Sequence, residues 1–451
     1  MTYDFDALLD RVEKPARYTG GEMNAEVKPI SQAEISFAFC FPDTYEVAMS
    51  HLGMKILYGI LNELPYAVCE RVCMPWVDML CELRKSNIPL CSLESHTPLS
   101  RFDIIGFTLQ YEMSYTNVLE MMDLGGVPVL SSERGEDDPI VLAGGPCAFN
   151  PEPLHLFIDA FLIGDGEDSI VEVTNVLNAC KKEGVPRAER LKRLASLRGV
   201  YVPGLYHDEY NADGTLKSLE PTDPCAPPRV LRSILTDFEN AYVPTRPPVP
   251  YIQPVFDRIM LEIMRGCTRG CRFCQAGMLY RPVRERSVDK LVELAKESVK
   301  NTGYEEISLS SLSSSDYSCI SELAGRLTDE LRDQRVSLSL PSLRVDKFVQ
   351  DTLTHTQKVK KSSLTFAPEA GTQRLRDVIN KNVTEADLVN TLTNAFSNGW
   401  NAIKLYFMTG LPTETDEDLI GIAELAKTAA GAYYSVPKEK RVKGLRIMCS
   451  A

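Results

Sequence analysis

The stretch Arg265-Gly266-Cys267-Thr268-Arg269-Gly270-Cys271-Arg272-Phe273-Cys274 decides how this chain is read. Its three cysteines stand four and three positions apart, and no fourth lies close enough to complete a local set. A structural zinc site takes four ligands, commonly as two close pairs, and a ferredoxin-type cubane also takes four thiolates. Three thiolates on one short loop suit a cubane in which one iron stays open to a non-protein ligand. Gly266 and Gly270 let the backbone wrap closely, and the three arginines offset the charge of sulfide and thiolate. With 13 cysteines in 451 residues, such a triplet arises by accident about 0.01 times per chain.

This Cys-x3-Cys-x2-Cys loop, with Phe273 just before its third cysteine, resembles the signature of the radical S-adenosylmethionine (SAM) superfamily. The resemblance implies a [4Fe-4S] cluster on Cys267, Cys271 and Cys274, with the open iron chelating the amino and carboxylate groups of SAM. It implies an electron from the cluster that cleaves a C–S bond and releases a 5′-deoxyadenosyl radical. A reductant such as flavodoxin or ferredoxin would supply that electron. A structural zinc site and unrelated reduced thiols are the competing readings.

The length suggests about three domains, and 44% hydrophobic with 25% charged residues is ordinary for a globular protein. No apolar run approaches the roughly 20 residues that span a bilayer, so no membrane partner is expected. The start, Met1-Thr2-Tyr3-Asp4-Phe5-Asp6, is acidic where a signal peptide is basic and then apolar. A cytoplasmic setting follows, in which the cysteines stay reduced. The net charge of −13 argues against a general nucleic-acid surface while leaving a local basic groove open.

Residues 1–30 are polar and read as an arm on a neighbouring domain. From residue 35 the pattern becomes an α/β alternation. Strands are expected at 35–41, 67–72, 103–109, 140–143 and 158–163, with helices at 52–64, 76–85, 114–124 and 168–182. That pattern predicts a Rossmann-like parallel sheet over residues 31–200. Ligands of such sheets bind at the carboxyl ends of the strands. The loops there are Ser50-His51-Leu52-Gly53, Thr108-Leu109-Gln110, Gly144-Gly145-Pro146 and Gly164-Asp165-Gly166-Glu167. Each is also readable as a tight strand-to-helix turn. Together they resemble the cobalamin-binding domain that precedes the barrel in many radical SAM proteins. That resemblance implies cobalamin contacts at His51, Gly53, Thr108, Gly144, Gly145, Gly164 and Gly166. One residue rather than two separates His51 from Gly53, which favours helix capping by His51 over a bond to cobalt. Prolines at 221, 224, 227, 228, 244, 247, 248 and 250 mark residues 201–252 as a stiff linker.

Residues 253–451 repeat strand then helix, with strands expected at 258–264, 306–310, 336–340, 363–366, 402–407 and 444–448. Helices are expected at 288–302, 316–332, 345–353, 385–398 and 414–430. This is barrel logic, with the site at the strands' carboxyl ends; the family resemblance implies a partial (β/α)6 TIM-type barrel. It also implies SAM contacts from Phe273 and, after the second strand, from Ser311 and Ser313. Further along, Ser342 and Arg344 follow the third strand, Glu369 and Gly371 the fourth, and Gly410 the fifth. Lys404 and Tyr406 face either the pocket or the outer helices. The run Arg281-Pro282-Val283-Arg284-Glu285-Arg286-Ser287 reads as a solvated loop, and resembles a run in methylthiotransferases that modify RNA or protein. The chain stops soon after its last strand, which reads as a truncated C-terminus. The expected function is a radical SAM enzyme associated with cobalamin, its substrate open. The alternatives are a methylthiotransferase, whose second cluster needs three more clustered cysteines, and a cobalamin or redox sensor.

Overall fold

The computed structural model describes residues 5–339 and 364–451, which form two compact units that meet in sequence at Asp257 and Arg258. The first unit is built on β1 (Ile35–Phe41), β2 (Ala67–Cys73), β3 (Ile104–Thr108), β4 (Ile140–Gly144), β5 (Ala160–Leu162) and β6 (Val200–Tyr201). Their order is β2-β1-β3-β4-β5-β6, parallel throughout except for the antiparallel β5–β6 pair. Every residue of β1 and β2 is buried. Side chains of alternate strand positions enter separate apolar clusters, with Cys40 and Val72 on one face and Phe39 and Cys69 on the other. Helices on both faces of a parallel sheet explain these near-continuous apolar runs. The strand order reverses between β1 and β3, the point at which doubly wound sheets open a ligand crevice.

The arm and the expected linker both fold onto this unit. Arg71 of β2 is only 2% exposed and pairs with Glu22 of the arm at 2.6 Å and with Glu94 at 2.6 Å. Tyr45 donates to the same Glu22 carboxylate. Each buried charge therefore has partners, without which its burial would be strongly unfavourable. Residues 201–252 are not a bare spacer. They carry an antiparallel hairpin of β7 (Tyr206–Tyr210) and β8 (Leu216–Pro221), and they bury Ala226, Leu235 and Phe238. Ser233 bridges Gly164, and Val249 bridges Met23. The first compact unit accordingly runs on to Asp257.

In the second unit β9 (Ile259–Glu262), β12 (Glu306–Ser310) and β13 (Ser337–Ser339) form one parallel sheet. A second holds β14 (Leu364–Glu369), β15 (Ala402–Phe407) and β16 (Arg446–Ser450). Between β9 and β12, β10 (Met264–Arg265) pairs antiparallel with β11 (Arg284–Glu285). Helices Val288–Thr302, Ile320–Glu330, Glu385–Ser397 and Asp416–Ser435 follow their strands. The helix expected at 345–353 lies outside the described residues. Ser287 caps the first of these helices, and capping boxes at Thr384 and Thr415 start the last two. Two three-stranded parallel sheets with helices following their strands make this the partial TIM-type barrel. Ile403, Leu405 and Phe407 of β15 pack under the helices. Lys404 and Tyr406 therefore occupy the opposite face, with the ammonium 4.4 Å from the ring centroid.

Candidate cluster and cofactor sites

The cysteine loop is closed at its base by the β10–β11 ladder, in which Met264 faces Glu285 and Arg265 faces Arg284. Gly266 follows at φ +90°, and a Cβ there would lie 2.6 Å from the Tyr280 carbonyl oxygen and 2.7 Å from that of Pro282. Only glycine meets both demands. Arg281 reaches back across the loop, donating to the carbonyls of Cys267 at 3.2 Å and Arg269 at 2.8 Å. The amide of Gly277 donates to Cys274 Sγ at 3.3 Å, and that of Cys274 to the Cys271 carbonyl. All three thiols are unpaired and half-buried.

Two segments hold the loop, one just past β12 and one past the helix Gln373–Val378 that follows β14. Arg269 makes a two-pronged ion pair with Asp316, at 2.9 and 2.5 Å, beyond the carboxyl end of β12. Ser313 donates to the same carboxylate at 2.8 Å, so Asp316 serves the cysteine loop as well as the turn in which it sits. At the second segment the Arg272 amide donates to the Ile379 carbonyl at 2.9 Å, and Asn380 Nδ2 to that of Gly270 at 2.8 Å. The run 281–287, expected as a solvated loop, is part of this framework. Arg286 is 2% exposed, its amide donates to Ile263, and its carbonyl accepts from Tyr317 at 2.8 Å.

No three His, Cys, Asp or Glu side chains converge as ligands of a single metal ion among the described residues. A cubane does not ask for convergence, because each thiolate holds a different iron. A short loop with three half-buried thiols, an amide aimed at one sulfur and glycine where the chain crowds itself fits such a cluster.

Of the expected SAM contacts, Glu369 ends β14 in a left-handed conformation, φ +71°, rare for a residue with a side chain. Lys381 holds its carboxylate at 3.0 Å and lies 5.8 Å from the centroid of the half-exposed Phe273 ring. Ser311 and Ser314 share a hydrogen bond of 2.9 Å, and Ser313 is buried. Gly410 (φ +79°) has open space where a Cβ would stand, and its amide donates to Glu414 at 2.7 Å. Gly371 has a packing role: a Cβ there would come within 2.3 Å of the Ile422 amide in the last helix. The adjoining Thr372 and Arg374 both bind Asp418 of that helix. Those partners, Thr372 first, hold the Asp418 carboxyl well below the usual carboxylate range. Ser342 and Arg344 lie outside the described residues.

In the first unit, His51 caps helix Leu52–Glu63, its Nδ1 accepting from the Met54 amide at 3.0 Å. An imidazole whose Nδ1 accepts carries its proton on Nε2, leaving no lone pair for a metal. Burial pushes its pKa down to about 4. Gly53 leaves room for that ring, since a Cβ would stand 2.8 Å from His51 Cε1. Thr108 accepts from Gln110 at 2.6 Å. Gly145, at φ +104°, would place a Cβ 2.6 Å from the Leu109 carbonyl oxygen, and Gly164, at φ +114°, would place one 2.1 Å from that of Ser233. Both are glycine because the chain's own backbone crowds them. A Cβ at Gly144 would meet nothing closer than 3.6 Å, and one at Gly166 would touch only Leu57. Beside the β1–β3 switch point, Tyr111 donates to Asp43 at 2.7 Å and Met113 is 86% exposed.

The family profile of the radical SAM superfamily matches residues 261–426, and that of the N-terminal region of radical SAM proteins matches residues 53–203. An uncharacterized protein of Methanocaldococcus jannaschii is 33% identical over 393 residues, which cover 86% of this chain and 73% of that protein. The chain belongs to the radical SAM superfamily. With membership come the family's [4Fe-4S] cluster and SAM as cofactors, and the standing of an enzyme. Among solved structures the chain resembles OxsB, a cobalamin-dependent radical SAM enzyme solved with aqua-cobalamin and SAM. The TM-score is 0.61 at 14% identity, over 92% of this chain and 58% of that one. It also resembles TsrM, a radical SAM methyltransferase from Kitasatospora setae, with a TM-score of 0.55 at 13% identity, over 88% of this chain and 71% of that one. At such identities the likeness is one of fold. The chain spans little more than half the length of OxsB. No helix among the described residues is long and apolar enough to cross a membrane.

Asp316, Asn380 and Lys381 are the framework residues that sequence reasoning left unassigned or only half assigned. Asn380-Lys381-Asn382 carried one usable signal. Asparagines are frequent at left-handed positions, and both here adopt them, at φ 54° and 53°.

Proposed function

We propose that this chain is a radical SAM enzyme that couples reductive SAM cleavage to a cobalamin carried by its first unit, with methyl transfer to an unactivated carbon as its reaction. The closed loop of residues 264–285, with its three half-buried thiols and its ties to Asp316 and Asn380, carries this reading. Cys267, Cys271 and Cys274 are the cluster ligands. Glu369 accepts from the ribose hydroxyls, Phe273 and Gly410 border the adenosine, Ser311 and Ser313 line the same rim, and Ser342 and Arg344 take the SAM carboxylate. When bound, the cluster supplies the electron for SAM cleavage and cobalamin carries the methyl group. A flavodoxin or ferredoxin in the cytoplasm supplies the electron to the protein.

The cobalamin part rests on the fold shared with OxsB and TsrM and on the β1–β3 switch point. Thr108 and Gly144 border that crevice. Because His51 Nδ1 is committed to the Met54 amide, cobalamin is held without a histidine bond to cobalt.

A methylthiotransferase needs a second set of clustered cysteines. Cys40 and Cys147 lie in one core cluster, Cys69 and Cys73 in the cluster on the opposite face of the sheet, and Cys81 is exposed. That dispersal favours the single-cluster reading. Anaerobic reconstitution tests it: about four irons per chain, SAM-dependent release of 5′-deoxyadenosine and a spectral change on hydroxocobalamin titration are expected. About eight irons would favour the methylthiotransferase, and four irons without SAM turnover a sensor.

A further inference from the structure

We propose that Lys381 is a positioning residue for SAM, acting through the Glu369 carboxylate; this rests on the radical SAM reading of the site. Lys381 stands between two asparagines in left-handed conformations, φ 54° and 53°. Asn380 is tied to the cysteine loop through Gly270 at 2.8 Å, and the preceding residue, Ile379, accepts from Arg272 at 2.9 Å. The position of the ammonium is thus set by the loop that carries the thiols. From there it engages Glu369 Oε1 at 3.0 Å, with both side chains largely enclosed, at 12% and 15% exposure. The same ammonium lies 5.8 Å from the centroid of the Phe273 ring.

A carboxylate that accepts from two vicinal hydroxyls must stay ionised and keep its plane. Glu369 is already placed by an uncommon backbone conformation and by its carbonyl, which accepts from the Met408 amide at 2.8 Å. Lys381 adds the remaining constraint by taking one carboxylate oxygen and leaving Oε2 to the ligand. It also balances the carboxylate, so that the site presents an acceptor without an unpaired charge in an enclosed place. The turn 379–382 thereby links the loop that holds the reducing group to the acceptor that holds the adenosine end of SAM.

The test uses the reconstituted full chain, with SAM and free methionine as probes read by their effect on the spectrum of the reduced cluster. In Lys381→Met, SAM affinity should fall about tenfold, while iron content and methionine affinity stay as in the unsubstituted protein. Lys381→Arg should recover most of the loss. In a Glu369→Gln background, Lys381→Met should add nothing further, since the two act as one unit. Unchanged SAM affinity in Lys381→Met, additive losses in the double variant, or iron lost along with SAM binding would each overturn the proposal. If the unsubstituted protein binds iron but never responds to SAM, the radical SAM reading itself falls and this proposal with it.

Discussion

Asn380 Nδ2 donates to the Gly270 carbonyl at 2.8 Å, so a turn 11 residues past the end of β14 grips the middle of the cysteine loop. Asn380→Gly keeps the left-handed backbone available and removes only this bond, at a cost of roughly 1 kcal/mol. The reconstituted variant should release iron to a chelator about fivefold faster than the unsubstituted chain. Asn380→Ala should release it faster still, because alanine resists φ 54°. The measurement is the loss of cluster absorbance under excess chelator.

Each of the three loop thiols is expected to be necessary. Cys267→Ala, Cys271→Ala or Cys274→Ala should each leave the chain unable to retain the cluster, because no further cysteine belongs to the loop. Folding should persist, since the β10–β11 ladder and the Arg269–Asp316 pair do not involve the sulfurs. Iron and sulfide per chain, with circular dichroism alongside, decide the matter; full iron in any of the three would refute the ligand assignment.

The two adjacent glycines at the end of β4 should behave differently. Gly145→Val puts a branched side chain against the Leu109 backbone at φ +104° and should lower the stability of the first unit by about 1–3 kcal/mol or more. Any loss of cobalamin binding in that variant is therefore uninformative. Gly144→Ala meets only ordinary contacts and should fold normally. A hydroxocobalamin titration of Gly144→Ala then reports on the crevice itself, and weakened binding is the expected result.

His51 makes the first unit sensitive to acid. Burial holds its folded pKa near 4, below the ordinary value of about 6.5, so the unfolded chain binds the extra proton first. Stability is then full above about pH 6.5 and is lost as pH falls toward 4. A protonated ring also cannot accept from the Met54 amide. His51→Asn keeps a capping acceptor and should flatten this dependence. Trp76 and Trp400 are the two tryptophans of the chain, so Trp400→Phe leaves a fluorophore confined to the first unit for melts at several pH values. An unchanged slope in His51→Asn would count against the assignment.

The parallel strands were legible because burial on both faces writes itself as continuous apolar runs such as Ile35–Phe41. The cysteine loop was legible because its ligands are local. The rest depends on pairings that local pattern does not encode. The proline-rich stretch looked like a spacer, yet Ser233 bridges Gly164, and Leu235 and Phe238 are buried. Two apolar residues among prolines show no periodicity to betray that.

The glycines were expected either to contact a cofactor or to make tight turns; at 145, 164 and 371 a Cβ would meet the chain's own backbone. Such crowding involves partners distant in sequence and is invisible until the chain is folded. Arg281 and Arg286 misled for a related reason. A charge run usually faces water, but here the guanidinium of Arg281 binds loop carbonyls, and Arg286 is enclosed. Lys381 went unnoticed because its partner, Glu369, lies 12 residues back across a turn.

The β10–β11 ladder joins Met264–Arg265 to Arg284–Glu285 without any help from the sulfurs. The mouth of the cysteine loop is thus drawn together by main-chain hydrogen bonds, and the spacing it imposes on what lies within is written in the backbone.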